Sequence, residues 1–552
     1  MKRFWTAAAL GALLACLTCV SALGAVNDML KVGLRYGSDA LYSANLENYT
    51  GNGSGYSFGY FDEGRGFVSL GSTSYTTISM TQDGNIYVAS DGTYSSTAPS
   101  GAFSVIGGYH VQLPGSYPSY ESAQSAAGAY DGFAAYVGGT FYARVGSYSS
   151  YGEAQSAAAG YGGDVAEPSS TGVTVTVTGT TRILFQFDCY GARSLGVQPG
   201  GAANPVTWFK GYRYYGAFEY QRVTGGRINV INVVDLDDYV KGVIPYEMSG
   251  DWPLEALKAQ AVCARTYGAR TTKHLSSYGF DLCGGTDCQV YRGTASATSN
   301  SNRAVEETAG QCLYYNGSYI DAVYHASDGG ATEDAANVWG GDTGYLIGKQ
   351  DPYEGTISIP NYQYTVSYTP SQLTSILQAK GYSIGTIVNV YVSERTNMGN
   401  VCKVTFVDSS GKELTVSREA CRTVFYSSTY NKSVRSMRFD IAGGSGGVPS
   451  SGCYVNNASN RLSSLSGAYT ISGSGTVGRY SDKSAYVITS SGTSRLASPD
   501  PSSVPSGEGF TITGTGNGHN VGMSQYGAKA MAEQGYRCED ILQFYYTGVS
   551  IW

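Results

Sequence analysis

Charge is what this sequence has least of. Lys, Arg, Asp and Glu make up 14% of 552 residues, and 35 bases against 42 acids leave a net charge of −7. Neutralising a run of phosphates takes a basic face, so nucleic-acid binding is excluded as a main role. Long apolar runs are also missing after the first twenty residues, and no later segment is long enough to span a bilayer. No His-Glu-x-x-His pair is present, which removes the usual helix-borne metallohydrolase site. What the chain has instead is Gly (75) and Tyr (48), with much Ser and Thr. That composition suits many short strands and turns. The tyrosines offer flat rings with hydroxyls, suited to a polar polymer such as glycan; free use of Tyr and Gly in an extracellular β protein is the plainer reading.

The first 25 residues have the pattern of an export signal. Lys2 and Arg3 precede an apolar stretch from Trp5 to Val20, followed by the small residues Ser21, Ala22, Gly24 and Ala25. The expectation is an exported protein, extracellular or in the cell wall, or held at the membrane if the segment is not removed. Eleven cysteines are present, and Cys16 and Cys19 belong to the signal. The nine others cannot all pair with one another, so at least one is free, buried or bound to a metal.

The fold class read from the pattern is α+β: a mixed, β-rich body with a few helices, plus a small α+β module. Met29–Arg35 alternates apolar and polar residues as a half-buried strand does. Strand-like runs continue to about residue 90, and the Ser/Gly/Thr/Pro-rich residues 91–107 read as a linker closing an N-terminal segment 29–106. An internal repeat follows at 107–162. Gly115-Ser-Tyr117 recurs as Gly146-Ser-Tyr148, and Ala123-Gln-Ser-Ala-Ala127 as Ala154-Gln-Ser-Ala-Ala158. Each copy predicts a strand, a turn and an Ala-rich helix, with the strands of both copies in one sheet. Residues 173–441 turn from β to helix near Asp251, a predicted N-cap, with Leu254, Leu257, Ala261 and Ala264 at helical spacing. Residues 442–507 are a Gly/Ser-rich insertion. Two helices close the chain, Ser524–Gln534 and Glu539–Tyr545, ended by Gly535 and Gly548.

Three blocks carry the chemistry. The first runs Asp235-Leu-Asp-Asp-Tyr-Val-Lys-Gly-Val-Ile-Pro-Tyr-Glu247-Met and on through Gln260 to Arg265-Thr-Tyr267. The second is Tyr324-His-Ala-Ser-Asp-Gly-Gly-Ala-Thr-Glu333 with Val338-Trp-Gly-Gly341. The third is Gly516-Asn-Gly-His-Asn-Val-Gly-Met-Ser-Gln-Tyr-Gly527. In order and spacing they resemble the stage II sporulation protein D (SpoIID)/LytB family, over roughly 210–440 and 508–552. The repeat, with Tyr109-His-Val-Gln112 and Phe141-Tyr-Ala-Arg-Val-Gly-Ser-Tyr148, resembles the SPOR domain, a module that binds glycan strands stripped of their peptides.

The family resemblance implies a peptidoglycan lytic transglycosylase that leaves 1,6-anhydro sugars, with Glu247 as the acid. The alternative it implies is the non-catalytic amidase enhancer, which binds the wall and modulates a partner amidase. Read from its residues, Glu247 has apolar neighbours in Pro245, Tyr246, Met248 and Trp252, which disfavour the charged form and suit a general acid. Its alternative is a carboxylate stabilising the start of the next helix. Tyr246, Gln260, His325, Ser327, Thr332, Glu333, His519, Ser524 and Gln525 are the candidate substrate-binding residues. His325, Ser327 and Asp328 do not make a triad on sequence grounds, since Ser327 lacks the Gly-x-Ser-x-Gly turn and sequence neighbours rarely form one. Asn517 and Asn520 stand where the family usually has an aromatic residue and Gly. Some family members hold zinc near His274…Cys283-Gly-Gly-Thr-Asp-Cys288. Here His274, Cys283, Asp287 and Cys288 would be the ligands, with Asp287 in place of a His, and a Cys283–Cys288 disulfide is the alternative. No other cofactor is expected.

Overall fold

A computed structural model describes residues 28–201, 203–443 and 509–552, with short hairpin strands between 453 and 495. The export segment lies outside the described residues, as does most of the Gly/Ser-rich insertion. The architecture is α+β, in two compact units: one comprises residues up to Asp321 with Ser550–Trp552, the other Ala322–Val549. The body read as continuous from 173 to 441 is therefore divided at Asp321.

The first unit is built on two sheets. In the seven-stranded sheet, Met29–Arg35 lies between Leu282–Cys283 and Arg227–Asp235, and Ala217–Val223 pairs on the far side of the latter. Alternation in Met29–Arg35 buries Leu30 and Val32. The central Arg227–Asp235 is apolar between its ends except for Asn229 and Asn232, and Ile228–Val234 is buried throughout, as in a strand covered on both faces. Residues 91–107, expected as a linker, contribute Tyr94–Ser95 and Phe103–Ile106, which flank Ile86–Ala89 in a small sheet.

The repeat forms strand, helix, strand, strand, helix, strand. Helix α1 is Tyr120–Gly128, capped by Ser119, and α2 is Tyr151–Tyr161, capped by Ser150. Both repeated strands share one sheet, Tyr109–Gln112 running antiparallel to Thr140–Tyr148. Ala123, Ala127, Ala154 and Ala158 are buried, small enough to let the helices sit close on that sheet. The module is not a separate bead. Its strand Phe133–Val137 pairs in parallel with Ile183–Asp188, so it continues directly into a ten-stranded sheet. A buried polar network fastens the join: Arg144 donates to Gln186 (2.5 Å), and Gln186 donates to Asp83 (2.8 Å).

Beyond Arg227–Asp235 come helix α3 (Leu236–Glu247), α4 (Leu254–Arg270) and α5 (Ser299–Glu307). In the second unit, α6 (Pro370–Ala379) packs with two three-stranded sheets around Leu373, Ile376, Val404, Phe406, Phe425 and Phe510. Ser524 caps α7 (Gln525–Glu533), and α8 (Cys538–Tyr545) follows after Gly535, whose φ of +90° ends the preceding turn. Among the described residues no helix is long and apolar enough to cross a membrane.

Candidate active site

The site begins with helix α3. The Asp235 carboxylate accepts from the N–H groups of Asp237 (2.8 Å) and Asp238 (3.2 Å), capping its start. Leu236, Tyr239, Val240, Val243 and Ile244 then face the core. That spacing was present in the sequence, but Gly242 and Pro245 are poor helix residues and obscured it. The helix ends at Glu247, and Met248 turns extended. Helix α4 starts at Leu254 with Pro253 at its N-cap position, two residues later than the Asp251 cap predicted.

Helix α3 is laced to the segment 289–292. Tyr239 donates its hydroxyl proton to Gln289 (2.9 Å), Val290 N–H donates to Glu247 Oε1 (3.2 Å), and Tyr246 donates to the Arg292 carbonyl (3.4 Å). Gly242 leaves room for the Tyr291 ring: a Cβ there would lie 2.4 Å from it. Tyr291 is fixed in turn by its hydroxyl on Asn232 (2.6 Å). Glu247 is half-buried at the C-terminal end of α3, and the first-turn acid of α4 is Glu255, bonded to Lys258 at 2.9 Å. The first turn of α4 thus carries its own acid in Glu255, while Glu247 ends the preceding helix. Gln260, expected to reach substrate, is fully buried; it lies on the packed face of α4, closed to a polymer.

Next to this segment, His274, Cys283, Asp287 and Cys288 each bring one donor atom within 4.8 Å of the others. Cys283 and Cys288 are free thiols. Nε2 of His274 is buried without a hydrogen-bond partner, 3.3 Å from Asp287 Oδ2. Hydrogen bonding from Cys288 holds the Cys283 thiol down to about 5. Two sulfurs, an imidazole and a carboxylate converging on one point fit tetrahedral zinc.

The second-unit candidates sit differently from expectation. His325, Ser327, Thr332, Glu333, Ser524 and Gln525 are each no more than 7% exposed. They are interior residues and do not line an open groove within this unit. Glu333 accepts from Asp334 N–H (3.0 Å), Asn337 (2.8 Å), Asn400 (3.0 Å) and Thr396 (2.5 Å), which satisfies a buried carboxylate. Thr332 accepts from Lys349 N–H, and Ser524 donates to Glu354 (2.9 Å) while capping α7. His519, half-buried, accepts at Nδ1 from Val521 N–H (3.1 Å) and hydrogen-bonds the Tyr324 backbone. Its ring packs on Trp339 and His325. Asn520 takes a φ of +65°, the conformation a glycine would supply there. Its amide also donates to the Asp328 and Ala331 carbonyls. Polar residues beside glycines read as a groove in sequence because a polar interior leaves no apolar signature.

The family model for stage II sporulation protein matches residues 224–315. An uncharacterized protein of Brachyspira hyodysenteriae is 30% identical over 342 residues, covering 62% of this chain and 73% of that protein. The chain contains a SpoIID-family domain at 224–315. The amidase enhancer of Bacillus subtilis is 31% identical over 326 residues, 56% of this chain. This chain spans 40% of that relative's length. Stage II sporulation protein D of Bacillus subtilis is 26% identical over 333 residues, covering 58% of this chain and 74% of that protein.

The stretch matched to the SpoIID family takes in Glu247, α4 and all four candidate metal ligands. Sequence reading missed Val290 as the donor to Glu247, because a backbone N–H leaves no residue signature. It also missed how far Tyr291 and Arg292 depend on α3.

Proposed function

We propose that this chain is a wall-acting lytic transglycosylase of peptidoglycan glycan strands, with Glu247 as general acid and then general base. The carrying observation is the position of Glu247: a half-buried carboxyl at the end of α3, oriented through Oε1 by Val290 N–H. A carboxyl held this way can give its proton to the leaving glycosidic oxygen as the bond to the anomeric carbon breaks. The carboxylate then takes the proton of the same sugar's 6-hydroxyl, whose oxygen bonds to that carbon and closes the 1,6-anhydro ring. Two carboxylates are needed when water or the enzyme is the nucleophile; here the sugar supplies its own, and one acid suffices. The export pattern of residues 1–25 supports action outside the cell, released or membrane-held. The strand–helix repeat at 107–162 supports a SPOR-like, glycan-gripping role.

A zinc held by His274, Cys283, Asp287 and Cys288 would fill a closed four-ligand site, so its contribution is structural. The residues themselves keep the 282–291 loop against strand Met29–Arg35, and with it Val290 against Glu247.

A second reading is favoured by the relative named amidase enhancer: the same surface binds glycan without cleaving it and the partner is a wall amidase. The test is to incubate the exported protein with purified glycan strands and look for anhydro-ended products by mass spectrometry. Cleavage that persists in Glu247→Gln sinks the catalytic assignment. Strand binding without any product establishes the enhancer role instead.

A further inference from the structure

The first unit contains a cavity of about 520 Å³ whose wall gathers three cations, Arg35, Lys210 and Arg292. They come from distant stretches: the end of strand Met29–Arg35, the turn between Thr207–Phe209 and Tyr212–Tyr214, and the segment after Val290. Among the described residues, none of the three makes an ion pair or a side-chain hydrogen bond. Two acids share the wall. Asp287 is engaged by Lys273 at 2.7 Å, and Asp39 is solvent-exposed. Tyrosine rings separate the charges. Arg292 lies 5.9 Å from the Tyr212 ring centroid, and the Arg35 and Arg292 charges both act on the buried Tyr214 hydroxyl.

In an acidic protein a concave wall with an excess of one charge sign focuses the field on a small volume and draws an anion into it. A guanidinium fork matches a carboxylate in two parallel hydrogen bonds, and a tyrosine face covers the apolar side of a sugar ring. We propose that this cavity is a subsite for a carboxylate-bearing sugar of the wall glycan. Arg35 and Arg292 grip the carboxylate, Lys210 adds a third charge, and the tyrosines hold the ring. The inference rests on the reading of the chain as a glycan-strand protein. Tyr291 and Arg292 tie the cavity to Glu247, because they follow its donor Val290 directly. Wall glycan offers the carboxylate from two sources: the lactyl group of a muramyl residue stripped of its peptide, or the stem peptide.

Strand binding is measured with Glu247→Gln protein, in parallel with cleavage by the unaltered chain. The probes are denuded strands, denuded strands with their carboxylates converted to amides, peptide-bearing strands, and neutral N-acetylglucosamine oligomers. The acidic probe that supplies the carboxylate should bind about tenfold or more tightly than the amidated strands and the neutral oligomers. Arg35→Gln with Arg292→Gln should erase that difference. Lys210→Gln, at an exposed position, should reduce it severalfold with an unchanged unfolding temperature. Tighter binding of denuded strands assigns the lactyl group; tighter binding of peptide-bearing strands assigns the peptide. Equal affinity for acidic and amidated strands, or a charge preference that survives the arginine changes, overturns the proposal. Cleavage without charge preference removes the subsite and leaves the transglycosylase reading; charge preference without cleavage does the reverse.

Discussion

Arg265 and Asp237 join helices α4 and α3 through one carboxylate oxygen, which receives Nε at 2.7 Å and Nη2 at 2.6 Å. The guanidinium is 1% exposed and also donates to the Val305 and Gln311 carbonyls, each at 3.2 Å. It thus ties the first turn of Glu247's helix to α5 and to the chain beyond it. Replacing Arg265 by Met leaves Asp237 and two carbonyls without their donor. A loss of about 3 kcal/mol is expected, read by denaturant unfolding. Arg265→Lys should recover only part of it, because an ammonium cannot reproduce the fork. Unchanged stability in the Met variant would contradict this.

Gly242→Ala tests the lacing of α3. The added methyl meets the Tyr291 ring, and overpacking of this kind costs about 1–3 kcal/mol. The displaced ring carries Val290 and Arg292 with it. Anhydro-product formation should therefore fall more steeply than stability does, as followed by product assay beside thermal unfolding.

Elemental analysis of the purified chain should find one zinc per molecule. Cys283→Ser should abolish it and lower the unfolding temperature, while Asp287→Asn should weaken retention under a chelator. Chain free of zinc that unfolds at the same temperature with and without chelator would remove the metal assignment.

Acid should weaken the second unit. Burial lowers both His325 and His519, and His519 falls from 6.5 to about 4. Between those values the unfolded chain binds protons that the folded one refuses, so stability falls as pH drops from 6.5 towards 4. Asp328 works in the opposite sense. Burial and the nearby Glu354 raise its carboxyl, so its contribution is present in acid and lost as pH rises. Hydrogen exchange of second-unit amides across pH 7 to 4 should show the net weakening, with a shallower dependence in His519→Gln. Equal slopes for the two proteins would count against the histidine origin.

The sequence made the fold class legible, together with the repeat and the two C-terminal helices, because alternation, Ala-rich periodicity and glycine stops are local. Glu247 was singled out through its motif. Helix α3 was not, because Gly242 and Pro245 lower local propensity and tertiary packing on Tyr291 overrides it. The burial of Gln260, Thr332 and Glu333 was hidden for another reason. A polar residue satisfied by distant backbone looks the same in sequence as one facing solvent, and Glu333's partners Thr396 and Asn400 are more than sixty residues away. The cavity cations were equally invisible, being single residues on three unrelated stretches.

The parallel pairing of Phe133–Val137 with Ile183–Asp188 bears on how the molecule would handle a polymer. Two binding elements on a flexible tether take hold of a strand at independent points, and the distance between grips varies with each encounter. Here the repeat module belongs to the same first unit as Glu247 and has no tether to swing on. A glycan strand gripped by the module, as proposed, would be held at one set span from that carboxyl. On the proposed function the first unit would act as a caliper, its span set by one compact body.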